Sequence, residues 1–285
     1  MGTVYMLLAS ASFATMAAFI KAIGTEVPLL QKVFLRCLLA APLLLVAAVA
    51  NKRPLVVQAR ALLVVRSLFG MTAMAGFFYA LTHMPLAESV FIGRSQPLLL
   101  ALMAPLVVGE RAPKEAWIAI ATGLIGVALI MKPAMAWPAA AWVALGAACC
   151  AAMAQLLVRR LNRTDYPLTI VFNFTVLTAV LTGIWTIPHF TSMTGRQWLQ
   201  MGGVAIFASA GQLLMTVAYR KDRAPAVAAA SYSSIVLSII YGYLFWGEVP
   251  PPLAWLGGAF IVTGGVLLVR SRRGIFEPAN RITSL

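Results

Sequence analysis

Long apolar runs separated by short polar or basic joints follow one another along the whole of this 285-residue chain. A helix rises about 1.5 Å per residue, so crossing a hydrocarbon core of about 30 Å takes about 20 mostly apolar residues. Runs of that size fall at residues 4–22, 29–50, 62–81, 86–108, 115–132, 139–159, 166–187, 197–219, 225–246 and 252–270. The pattern predicts an all-α integral membrane protein with ten transmembrane helices, in which THMP alone separates the third span from the fourth and RKDRA the eighth from the ninth. Strands of about ten residues alternating in polarity, the mark of a membrane barrel, are absent. The first run does not read as a cleaved leader, because Lys21 follows the apolar stretch instead of preceding it.

The runs also repeat. Shifted by 138 to 140 residues, FFYALTHMPLA aligns with MTVAYRKDRAPAV, placing Tyr79 on Tyr219 and Pro85 on Pro225. Gly109 and Glu110 fall on Gly247 and Glu248, Trp117 on Trp255, and Gly126 on Gly264. Five spans per half is an odd number, so the halves, residues 1–135 and 136–285, are expected to cross the membrane in opposite senses as one membrane unit. Inverted repeats of this kind are the architecture of alternating-access transporters, with the solute site near the midplane between the halves.

Composition agrees with the spans: 61% of residues are hydrophobic, 11% are charged and the mean hydropathy is +0.90. Soluble domains average about 45–50% apolar and about 25% charged. Charge then orients the chain. With the N-terminus in the cytoplasm, the inner joints hold fifteen basic residues: Lys52, Arg53, Arg60, Arg111, Lys114, Arg159, Arg160, Arg163, Arg220, Lys221, Arg223, Arg270, Arg272, Arg273 and Arg281. The outer side holds four, Lys21, Lys32, Lys132 and Arg196, so both termini are expected in the cytoplasm of a bacterial inner membrane. The net charge of +14 is mostly this bias. It predicts contact with anionic lipid heads, and no nucleic-acid partner, since no basic domain exists.

Cys37, Cys149 and Cys150 lie within spans without a CxxC pair, and His83 and His189 lie far apart near span ends without HExxH, so neither a metal nor a cofactor is expected. An intramembrane enzyme would need a nucleophile and base at depth, and GxSxG is also absent.

Ten spans in two inverted halves, FLR in the second span, FFYAL…MPLAES across the third and fourth, and GE after the fourth and ninth resemble the EamA branch of the drug/metabolite transporter superfamily. The resemblance covers essentially the whole chain. It implies an inner-membrane carrier of small organic solutes, similar in size and layout to bacterial amino-acid exporters. Arg36 matches a residue commonly kept in that family, whereas the stretch containing Arg94 is commonly uncharged there.

Helical spacing nominates surfaces. On the eighth span Ser209, Gln212, Thr216 and Tyr219 form one polar stripe, and its repeat partners are Phe69, Thr72, Gly76 and Tyr79, beside Phe78. The ninth span adds Ser231, Ser234, Ser238 and Tyr241, alongside a small-residue ridge from Ala226 to Gly242 that also suits close helix packing. Gln155 is a lone amide among small residues. These hydroxyls and amides either line a cavity or bond back to their own helices.

Arg94 stands inside the fourth span, where an arginine costs about 2.5–3.5 kcal/mol on insertion scales and must face protein or water. Two readings stay open: a fork that grips a solute carboxylate or gates its path, or a structural partner for a helix bent at Pro97, which cannot bond the carbonyl of Gly93. On an unbroken helix Gln96 lies about 200° from Arg94, so the two are not expected to share a narrow cavity. Arg36, about seven residues into its span, reads as a snorkelling anchor or an interhelical bond, and Glu110 and Glu248 as structural or gate-side turns.

No GxxxxGK[ST] loop is present, and all eight acidic residues fall at span ends or in joints. The expectation is therefore secondary transport, by uniport or exchange, of a small zwitterion or anion, amino acids first. A different metabolite, or a channel, is the alternative; oligomeric state stays open.

Overall fold

A computed structural model of the chain describes residues 2–96, 98–100, 102–103, 114–131, 139–162, 164–221 and 230–271. Its regular structure is helical among the described residues: α1 (Gly2–Ile23), α2 (Leu29–Ala50), α3 (Arg60–His83), α4 (Leu86–Gly93), α5 (Lys114–Met131), α6 (Ala139–Leu161), α7 (Pro167–Thr186), α8 (Gly195–Lys221), α9 (Ser233–Trp246) and α10 (Pro252–Ser271). Six of them, α1, α2, α3, α6, α7 and α8, are long and apolar enough to cross a membrane, and α5, α9 and α10 carry shorter apolar helices. Prolines set several starts. Pro28 and Pro85 precede α2 and α4 with extended ψ of 143° and 141°, and Pro167 opens α7, where a missing N–H costs nothing.

The fourth and ninth spans are not continuous helices. After α4, Arg94 and Ser95 form a turn and helical backbone resumes at residues 98–100. The Ser95 N–H and hydroxyl both donate to the Ile92 carbonyl (3.0 and 2.6 Å), and the Ser95 carbonyl accepts from Leu98 and Leu99 (2.9 and 3.1 Å). Ser95 thereby satisfies backbone groups that the break would otherwise strand. In the ninth span residues 230–231 are helical, Tyr232 is a turn and α9 follows. From 94 to 232 is 138 residues, an offset within the 138 to 140 at which the sequence aligns with itself.

The principal helix pairs are α1 with α8, α3 with α6, α5 with α10 and α2 with α7, followed by α1 with α9, α4 with α6, α2 with α8, α3 with α7 and α4 with α9. Exchanging each helix for the one five places away maps this set onto itself. Two clamps obey the same shift. Gln31 exchanges hydrogen bonds with the backbone of Thr191 (2.8 and 2.9 Å), and Thr169, 138 residues later, donates to the carbonyl of Pro54 (2.7 Å). Between α5 and α10 the backbones touch: a Cβ on Gly126 would lie 2.5 Å from the Gly257 carbonyl oxygen, and one on Gly264 2.7 Å from that of Ala119.

The glycine and glutamate after α9 have separate tasks. Gly247 takes a left-handed φ of 65° that ends the helix, with Glu248 N–H returning to the Gly242 carbonyl (3.0 Å). Glu248 then pairs with Lys21 (2.6 Å) and accepts the Leu86 N–H (2.9 Å), while Lys21 also donates to the Met84 carbonyl (2.9 Å). One ion pair thus joins the end of α1, the start of α4 and the end of α9. Gly109 and Glu110 lie outside the described residues.

Candidate functional site

A cavity of about 310 Å³ opens about halfway along α1, α3 and α6. Its walls are Phe13, Ala14, Met16 and Ala17 of α1, Ala73, Met74 and Phe77 of α3, and Ala144, Ala147, Ala148 and Ala151 of α6. The polar side of the same space comes from the two broken spans, with Gly93, Arg94 and Gln96 facing Ser234 and Ser238. The α6 alanines recur at helical spacing and give that wall its breadth.

Arg94 reaches across to α9. Its Nε and Nη2 both donate to the Ser234 hydroxyl (2.9 and 2.5 Å), and that hydroxyl donates in turn to the Ser231 carbonyl (3.1 Å). Ser238 is fully buried and donates to the Ser234 carbonyl (2.7 Å). The guanidinium therefore sits at the junction of both helix breaks. Gln96 shares the cavity, contrary to the wheel geometry expected of it, because the turn at Arg94–Ser95 resets the angle between them.

Of the expected residues, Arg94, Ser234 and Ser238 line this space. Ser231 and Tyr241 lie close by in the chain but do not line it: Ser231 offers its carbonyl, and the Tyr241 hydroxyl meets Thr15 Oγ1 at 3.1 Å. Phe78 is buried in the apolar core among α1, α2 and α8, and Tyr79 stacks on His83 at 3.9 Å. Thr72 and Gln155 are exposed and line neither cavity described here. The side chain of Thr216 lies outside the described residues.

Ser209 and Gln212 face elsewhere. They line a second cavity of about 40 Å³ with Arg36 and Ala40 of α2, Arg66 of α3, and Phe174 and Thr175 of α7. The α8 stripe and its α3 counterpart thus do not form one lining. The cause is packing: Gly203 and Gly211 admit Phe19 and Phe13 of α1 against α8, where added Cβ atoms would approach those rings to 2.8 and 3.0 Å. The central cavity has no room on that side. Arg36 does not snorkel outward; its Nη1 contacts Met74 Sδ at 3.4 Å, and Met74 also lines the central cavity. Sequence spacing singled out neither the α1 and α6 walls nor Arg66; the alanine recurrence on α6 was the available signal.

Among the described residues no group of three His, Cys, Asp or Glu side chains is placed to hold a metal. Among the described residues no carboxylate lines the central cavity.

The model of the EamA-like transporter family matches the chain twice, over residues 1–132 and 138–270. The chain is 30% identical over 280 residues to the pseudopaline exporter CntI of Pseudomonas aeruginosa, covering 96% of this chain and 97% of that protein. It is 28% identical over 189 residues to a riboflavin transporter of Vibrio cholerae, covering 65% of this chain and 63% of that one. One solved crystal structure superimposes with a TM-score of 0.68 at 22% identity, over 95% of this chain and 98% of its own, which establishes likeness of fold.

Proposed function

Because the chain belongs to the EamA-like transporter family, we propose that it exports a small carboxylate-bearing organic solute, most simply an amino acid, across the bacterial inner membrane by alternating access. The observation that carries this reading is Arg94 at the meeting of two helix breaks, on the polar side of a cavity whose other walls are apolar. A guanidinium fork matches a carboxylate, and broken helices at membrane depth are how transporters expose backbone groups to solutes. Pro97 has no N–H for the carbonyl of Gly93, which lines the cavity, so that oxygen suits a solute ammonium. Phe13, Phe77 and Met74 suit an apolar side chain.

Two inverted five-helix halves are part of the proposal. Support comes from the helix contacts that map onto themselves, the two clamps 138 residues apart, and the family match in each half. In this arrangement Lys21–Glu248 closes one end, and rocking of the halves opens it while closing the other, with both termini in the cytoplasm. With no carboxylate on the cavity wall among the described residues, transport runs as uniport or exchange.

Counterflow in proteoliposomes tests the reading. Purified protein loaded with unlabelled leucine or phenylalanine accumulates labelled amino acid transiently without an imposed proton gradient. Absence of counterflow for any amino acid, or uptake that requires a proton gradient, counts against it. The ring faces of Phe13 and Phe77 also favour a second reading, a flat vitamin-like solute, which competition by riboflavin in the same assay separates from the first.

A further inference from the structure

We propose that the second cavity, between Arg36 and Arg66, is a binding site for a small inorganic anion of halide size. The space is donor-rich and acceptor-poor. Arg36 Nε, Arg66 Nε and Arg66 Nη1 are buried with no hydrogen-bond partner, as is the Ser209 hydroxyl, 6% exposed on the same wall. What these arginines do touch is neutral: Arg36 meets the sulfurs of Met74 and Cys37, and Arg66 lies over the Phe174 ring at 3.8 Å.

Charge decides what is missing. Both arginines line the same small space, so their like charges repel, and arginine does not escape by losing its proton. The four helices that build the walls, α2, α3, α7 and α8, contain no aspartate or glutamate. Among the described residues this space has two positive charges and no negative one, which calls for a compensating anion. Size narrows the class. In about 40 Å³ there is room for about three water-sized groups, enough for a halide ion and far short of the space beside Arg94.

The two arginines of this cavity both precede residue 135, while its other walls come from α7 and α8. Residue 174, which is 36 plus 138, is phenylalanine, so the corresponding position of the second half carries a ring where the first half carries a charge. Met74 links the two cavities, since it contacts Arg36 and lines the central space. An anion that holds Arg36 in place therefore braces one wall of the central cavity.

The experiment is thermal unfolding of the purified full chain in sodium gluconate, with chloride or bromide replacing gluconate at constant sodium. The expected result is a saturable rise in apparent Tm of about 4 °C for either halide. Arg36→Gln and Arg66→Gln lose the rise, Ser209→Ala weakens it, and Arg94→Ala keeps it, so the outcome does not depend on the role given to Arg94. Equal Tm in gluconate and halide, or an undiminished rise in Arg66→Gln, overturns the proposal. Stabilisation by phosphatidylglycerol alone assigns the charge to lipid and overturns it equally. Should the variants fail to fold, anomalous scattering from wild-type crystals in bromide decides: a peak between the two guanidiniums supports the site, and its absence refutes it.

Discussion

Two cavities in this bundle carry arginine, and they accommodate it in opposite ways. Beside the larger one, Arg94 is bonded through two nitrogens to the Ser234 hydroxyl, with backbone carbonyls of two broken helices nearby. Around the smaller one, Arg36 and Arg66 stand over sulfur and aromatic faces with buried N–H groups unpartnered. The same side chain thus has two different electrostatic settings. The Ser234 hydroxyl orients the Arg94 guanidinium at the edge of a roomy space. A tight, uncompensated pair instead calls for an ion small enough to be enclosed.

The largest effect expected is at Arg94. Arg94→Ala and Arg94→Lys each reduce counterflow by about 100-fold or more while membrane insertion is kept, since a severed charge-assisted pair typically costs about 2–5 kcal/mol and lysine lacks the fork. Wild-type flux in either variant erases the distinction between the cavities.

Ser234→Ala comes next. Losing one hydrogen bond to a charged group is worth about 1.5–3 kcal/mol, so half-saturation for the transported solute rises by about tenfold, with the maximal rate less affected. An unchanged half-saturation means that Ser234 does not position Arg94. Arg66→Leu sharpens the contrast from the other side. In halide-free buffer it leaves stability unchanged or raises it by about 1 kcal/mol in thermal unfolding, because an uncompensated charge is removed, offset by the lost contact with Phe174. A marked loss of stability there shows that Arg66 has a compensating partner of its own. The smallest effects are expected at Thr72 and Gln155. Alanine at either shifts stability by less than about 0.5 kcal/mol and flux by less than about twofold, since both are exposed and line neither cavity.

Much of the framework was legible before any coordinates. Apolar run lengths placed α2 at residues 29–50, and most other helix ends within two residues. They did so because a span must satisfy its own backbone and match the membrane's thickness. Proline chemistry at Pro97 pointed to a bend near Arg94, but the turns at Arg94–Ser95 and at Tyr232 were not legible as helix breaks. The polar stripe on α8 was legible as a stripe but not as a wall of a particular space. Within a membrane bundle, a polar face satisfies the same pattern whether it borders a wet cavity or a neighbouring helix.

Hydropathy and spacing by themselves determined that this chain is a membrane bundle of apolar helices with an arginine inside its fourth apolar run, since both follow from local chemistry along the sequence. Tertiary structure alone decided the partners. It brought Ser234 to Arg94 across 140 residues, turned Ser209 and Gln212 toward Arg36 and Arg66, and let Phe13 and Phe19 fill the glycine faces of α8. Helix rotation and packing depend on side-chain shapes meeting across distant segments, and no periodicity within one segment encodes which neighbour it will meet.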